Sequence, residues 1–197
     1  MAGDPPLIPE LEACRRAFRE AAGETRALLD EVGAEHFHAR PAPRSWSAAA
    51  CVSHLVVSGE ALLPELDRAI ARARERELLA HPPFDYGRLG EWFVAQAGGD
   101  GSPPRRRIPA PKAYAPAPGR VPAAELVGRF DDLQEALCDR LALSAGLDLA
   151  RARARSPISP LIRLGIGQWF RLVAGHQRRH LGQARRALEA AGVVHLD

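Results

Sequence analysis

Residues 98–122 hold four glycines and seven prolines in 25 positions, too many for a regular helix or strand. On either side of this stretch, apolar residues recur at intervals of three and four, the spacing of amphipathic helices. Two long helical segments precede it and two follow. Antiparallel helices in a bundle need only short turns between them, whereas a connection this long suits a crossover over the bundle end. The expected architecture is therefore an all-α four-helix bundle in one domain over residues 1–197, with a Pro/Gly-rich crossover at 98–121 between helices two and three.

The first segment runs roughly from Ile8 to Val32, with Leu11, Cys14, Phe18, Ala21, Ala22, Leu28 and Leu29 on one face and Gly33 after its end. The second begins after Ser45 or Ser47, either of which suits an N-cap, and continues to about Ala80. Pro64 lies inside it and is expected to kink or divide it. Phe84 to Gln96 reads as a short helix or an extended segment. The third helix spans about Pro122 to Leu143, with Leu126, Val127, Phe130, Leu133, Leu137 and Leu141 as its stripe. The fourth spans about Pro160 to Ala191, with Leu161, Leu164, Trp169, Leu172, Val173, Leu181, Ala184 and Leu188 as its stripe. No β-strand alternation stands out.

Composition narrows the class of partner. Of the 197 residues, 46% are hydrophobic and 26% charged, which is ordinary for a globular protein and argues against wholesale disorder. No uncharged apolar run approaches a membrane span of about 18 residues, and the N-terminus lacks the pattern of a secretory signal. A cytoplasmic location is expected. The 27 basic residues nearly balance 24 acidic ones, so the excess is too small to imply nucleic acid. The basic cluster Arg105-Arg106-Arg107 with Lys112 reads as a solvated loop, since no recognition helix or interleaved aromatics accompany it. Three widely spaced cysteines, Cys14, Cys51 and Cys138, form no CxxC and read as buried thiols.

The most specific local signal is His176-Gln177-Arg178-Arg179-His180. Histidines at i and i+4 share one helix face about 6 Å apart, close enough to reach one metal ion. Here they fall on the apolar face, where two inward imidazoles need a compensating partner, whether a metal or a hydrogen bond. Gln177 occupies the position where a zincin carries its catalytic glutamate, which excludes that class of metalloprotease. A di-iron carboxylate site is excluded as well, because the single ExxH is Glu35 to His38 in a loop. A third ligand is available in His54, among the apolar residues of helix two. If helices two and four pack together, His54, His176 and His180 can converge on one ion.

Trp46-Ser47 followed by His54-Leu55, a Pro-rich crossover, and a last helix carrying His176-x-x-x-His180-Leu181-x-Gln183 resembles the DinB/YfiT-like family of metalloenzymes. Lys112-Ala113-Tyr114-Ala115-Pro116 resembles the segment those proteins carry before helix three. The resemblance covers about Ala17 to Ala191. It implies a four-helix bundle holding one divalent metal, commonly zinc or nickel, with His54, His176 and His180 as ligands and water completing the shell. Three histidines plus open positions is a catalytic rather than a sealed arrangement. The resemblance further implies a transferase that uses a small thiol cosubstrate, and a homodimer.

Two other readings stay open, a metal-dependent hydrolase and a non-catalytic bundle that binds a metal or ligand. Cys51, three residues before His54, could approach the metal or be a core residue. Ser58 could face the same cavity or bond back to a helix carbonyl. Gln183 could hydrogen-bond a ligand or only solvent. Glu60 reads as a surface charge, and no general base stands out. Trp46 and Trp169 are expected to anchor helix starts in the core, and Trp92 to cap the bundle or join an interface. His36, His38, His81 and His195 read as surface residues.

Overall fold

The computed structural model describes residues 7–97, 114–116 and 121–193. Four long helices form the bundle: α1 (Pro9–His36), α2 (Ala48–Glu75), α4 (Ala123–Leu143) and α5 (Ile166–Ala190), with a shorter α3 (Arg88–Ala97) between α2 and α4. Each begins or ends on local chemistry. Pro9 opens α1, where a missing N–H costs nothing. Ser47 is the cap of α2, its hydroxyl accepting from the Ala50 amide at 3.1 Å. Gly33, at φ 73°, interrupts α1 after Val32, and one further turn follows it.

Ion pairs fix the helix directions. Glu60–Arg129 and Asp67–Arg140 join α2 to α4, at 2.9 Å and 2.8 Å, and Arg74 donates to the Leu143 carbonyl at 2.8 Å. The partners advance together along both helices, so α2 and α4 run parallel. Glu10–Arg171 and Glu24–Arg185 show the same for α1 and α5. α2 packs against both α4 and α5, and α1 against the same two. Parallel neighbours close in sequence cannot be joined by a tight turn. The expected crossover follows from this arrangement. Apart from Tyr114–Pro116 and Val121, the stretch 98–121 lies outside the described residues, as do Arg105, Arg106, Arg107, Lys112 and His195.

The core fills the space between the four helices, with Phe18, Phe130, Phe170, Leu55, Leu66 and Leu137 fully buried. α2 and α4 approach closely where Gly59 faces Leu133; a Cβ at Gly59 would lie 2.5 Å from a Leu133 methyl. α2 is long and apolar enough by composition to cross a membrane, but 14 of its residues are buried within the bundle. Their burial accounts for its apolarity. α2 also continues through Pro64 without dividing, contrary to expectation. Glu60 and Pro64 are both exposed, so water can satisfy the carbonyl that the proline leaves without a donor. The helix ends at Glu75, a turn earlier than expected.

The last helix starts later than expected. Residues 160–165, expected to open it, lie instead in β2 (Ser159–Gly165), which pairs antiparallel with β1 (Arg153–Ser156). Pro157 and Pro160 disfavour helix in the residues before them, and β1 alternates exposed and buried side chains. Leu161, expected in the helical stripe, is 92% exposed. Trp169 Nε1 donates to the Ala154 carbonyl at 3.1 Å and ties the hairpin to α5. Ala154 and Leu164 of the hairpin join the core, and the rest of the core comes mostly from the helices. Trp92 is 60% exposed on α3.

Candidate metal centre

The Ser47 cap sets the start of α2 so that His54 lies in its second turn, facing α5. On α5, His176 and His180 stand one turn apart on the face that meets α2. The ligand nitrogens of the three histidines all lie within 4.8 Å of one another. His54 Nε2 and His176 Nε2 are 3.2 Å apart. His54 and His180 are buried and His176 is half-buried. The convergence expected from the sequence is therefore realised.

His54 Nδ1 lies 2.7 Å from the backbone carbonyl of Tyr114. A carbonyl only accepts, so Nδ1 carries the proton and Nε2 presents its lone pair to the cluster. Burial pushes the His54 pKa down, and Arg179 adds to the effect. Burial also holds His176 well below the ordinary range, helped by repulsion from His180, His54 and Arg179. His180 is pushed down to about 3, again chiefly by burial. All three rings are neutral donors at neutral pH.

These residues fit a metal ion. Two nitrogens bound to one tetrahedral ion at about 2.0–2.1 Å each would stand about 3.3 Å apart, close to the His54–His176 separation. His180 Nδ1 is buried without a hydrogen-bond partner. Gln183, one turn on, is near enough to favour its protonated form, though burial outweighs that effect. Among the described residues, this is the one cluster of histidine, cysteine and carboxylate groups with such geometry, and neither a carboxylate nor a thiol joins it. Three neutral nitrogens leave further positions on an ion open to water or another ligand.

The remaining candidates take the blander of their two roles. The Ser58 hydroxyl donates to the carbonyls of His54 and Leu55, at 2.7 Å and 3.2 Å. Cys51 is fully buried, and burial pushes its thiol up to about 12. Glu60 is exposed and paired with Arg129. His36 and His81 are exposed, His36 with Nδ1 on the Val32 carbonyl, and His38 is half-buried. Two neighbours of the site carry more than the sequence suggests. Trp46, expected only as a core anchor, lies 5.2 Å from the His54 ring and stacks on His180 at 5.9 Å, centroid to centroid. Tyr114 supplies its carbonyl, a contact across sixty residues that no side-chain pattern announces.

No curated protein and no solved structure matches the chain. The profile of the DinB superfamily matches residues 17–184, a span that includes the crossover and all three converging histidines. With most of its length matched and the helical bundle in place, the chain belongs to the DinB superfamily.

Proposed function

We propose that the protein is a metal-dependent transferase that acts with a small thiol cosubstrate, binding one divalent ion, zinc or nickel, through His54, His176 and His180. The observation that carries this reading is a cluster of three neutral imidazoles, two buried and one half-buried, with no carboxylate beside it among the described residues. A divalent ion there would favour the thiolate form of a bound thiol and act as a Lewis acid. The chain's own residues bind and orient. His54 is held in one tautomer by Tyr114, and Trp46 covers the His54 and His180 rings on one side. Water is thereby kept from part of the cluster.

A thiol that binds already ionised needs no separate proton acceptor, and among the described residues no carboxylate stands at the cluster to act as one. A metal-bound hydroxide would need none either, so the reaction itself has to separate transfer from hydrolysis. Metal content by elemental mass spectrometry tests the site, with His54→Ala, His176→Ala and His180→Ala alongside. Near-stoichiometric metal in the wild type, sharply reduced in each variant, is the expected result. Metal-dependent consumption of a thiol with an electrophile then tests the reaction. Product formed without the thiol would overturn the transferase reading in favour of hydrolysis. Bound metal without any turnover would leave a binding protein.

A further inference from the structure

Arg179 sits between the two histidines of α5, adjacent to His180 in sequence and three residues from His176. It is half-buried, and among the described residues it has no hydrogen bond or ion pair. Other partly buried arginines of the bundle are paired. Arg171 meets Glu10 and Glu91, Arg185 meets Glu24, and Arg140 meets Asp67. Taking a guanidinium partly out of water without a counter-charge is unfavourable, so the exception calls for an explanation. Its place on α5 between His176 and His180 sets it beside the cluster. Among the described residues, no carboxylate belongs to the cluster. A divalent ion would add to this uncompensated positive charge.

We propose that Arg179 is the anion-binding residue of this site, and that the molecule brought to the metal carries a carboxylate. This inference rests on the metal centre proposed above. One planar guanidinium matches the two oxygens of one carboxylate. A phosphate, with more oxygens and more charge, would call for further donors. Arg179 thus selects the ligand, while the histidines hold the ion.

The test compares two thiols of similar size, mercaptoacetate and 2-mercaptoethanol, by calorimetric titration of the metal-loaded protein. Wild type is expected to bind mercaptoacetate about tenfold more tightly or better, the scale of a charge-assisted hydrogen bond. Arg179→Gln should lose most of that preference, with metal content and 2-mercaptoethanol affinity retained. Arg179→Lys should keep part of it. Equal affinities in the wild type would overturn the proposal. So would a preference that survives in Arg179→Gln, since the ion alone would then select the anion. If propionate binds but neither thiol does, and binding requires Arg179, the anion site stands and the thiol reading falls. If the wild type takes up no metal, the metal reading falls. Propionate titrated into metal-free wild type and Arg179→Gln then decides Arg179 by itself. Binding lost in the variant supports the proposal, and absent or equal binding overturns it.

Discussion

The Tyr114 carbonyl accepts from His54 Nδ1 at 2.7 Å and turns the opposite nitrogen of that ring toward His176, 3.2 Å away. A histidine that binds a metal depends on the group behind it, and loss of such support costs about 10–100-fold in metal affinity. Here the support is main chain. Tyr114→Ala keeps the carbonyl and is expected to leave metal content at the wild-type level, whereas His54→Ala removes the ligand. Competition with a chromophoric chelator checks this. Strong loss of metal from Tyr114→Ala would show that the tyrosine ring, not its carbonyl, organises the site.

Trp46 gives the site an optical reporter. Its ring contacts His54 and His180, while Trp169 bonds to the hairpin and Trp92 stands exposed on α3. An open-shell ion such as nickel(II) at the cluster should therefore quench Trp46 fluorescence selectively. Titration of wild type and Trp46→Phe checks it. Quenching that persists in Trp46→Phe would place the ion elsewhere.

The helical bundle is legible in the sequence because burial repeats with the helix: Leu126, Phe130, Leu133, Leu137 and Leu141 fall in line and are all buried on α4. The histidine cluster is legible for a related reason, since two rings share a helix face and the third lies on a neighbouring apolar one. The hairpin is hidden by its length. Four residues of β1 offer too little alternation, and Leu161 and Leu164 fit a helical stripe as well as a strand. The Tyr114 contact and the isolation of Arg179 depend on which distant groups meet, or fail to meet. Residue identity does not encode that locally.

Acid should destabilise the metal-free protein through the same cluster. An unfolded histidine binds a proton below about pH 6.5, but burial depresses all three rings in the folded state, His180 to about 3. As pH falls below about 6.5 the unfolded chain takes up more protons than the folded one, so stability declines with falling pH. Above that range the three rings are neutral in both states and contribute no pH dependence. Urea midpoints of metal-free protein at pH 7.5 and 5 check the sign, with His180→Phe as control. The variant should show a shallower decline. An unchanged slope would mean that the loss arises elsewhere.

Gly167, at the start of α5, faces the Tyr86 hydroxyl so closely that a Cβ there would overlap it. Tyr86 is not free to move aside without loss. Its hydroxyl donates to Glu10 at 2.7 Å, and the Arg171 guanidinium stacks on its ring at 4.7 Å. Arg171 in turn pairs with Glu91 of α3, which also accepts from Gln168. This network joins α1, α3 and α5, and the histidine cluster lies further along α5. Gly167→Ala is therefore expected to displace Tyr86 and cost about 1–3 kcal/mol of stability. Metal content should be unchanged, because His176 and His180 lie more than two helical turns away. Chemical denaturation reads the first effect and elemental analysis the second. In Tyr86→Phe the ring stays but the hydroxyl that meets the new methyl is gone, so the alanine should cost less in that background than in wild type. Equal costs in the two backgrounds would show that the crowding at Gly167 is not with the Tyr86 hydroxyl.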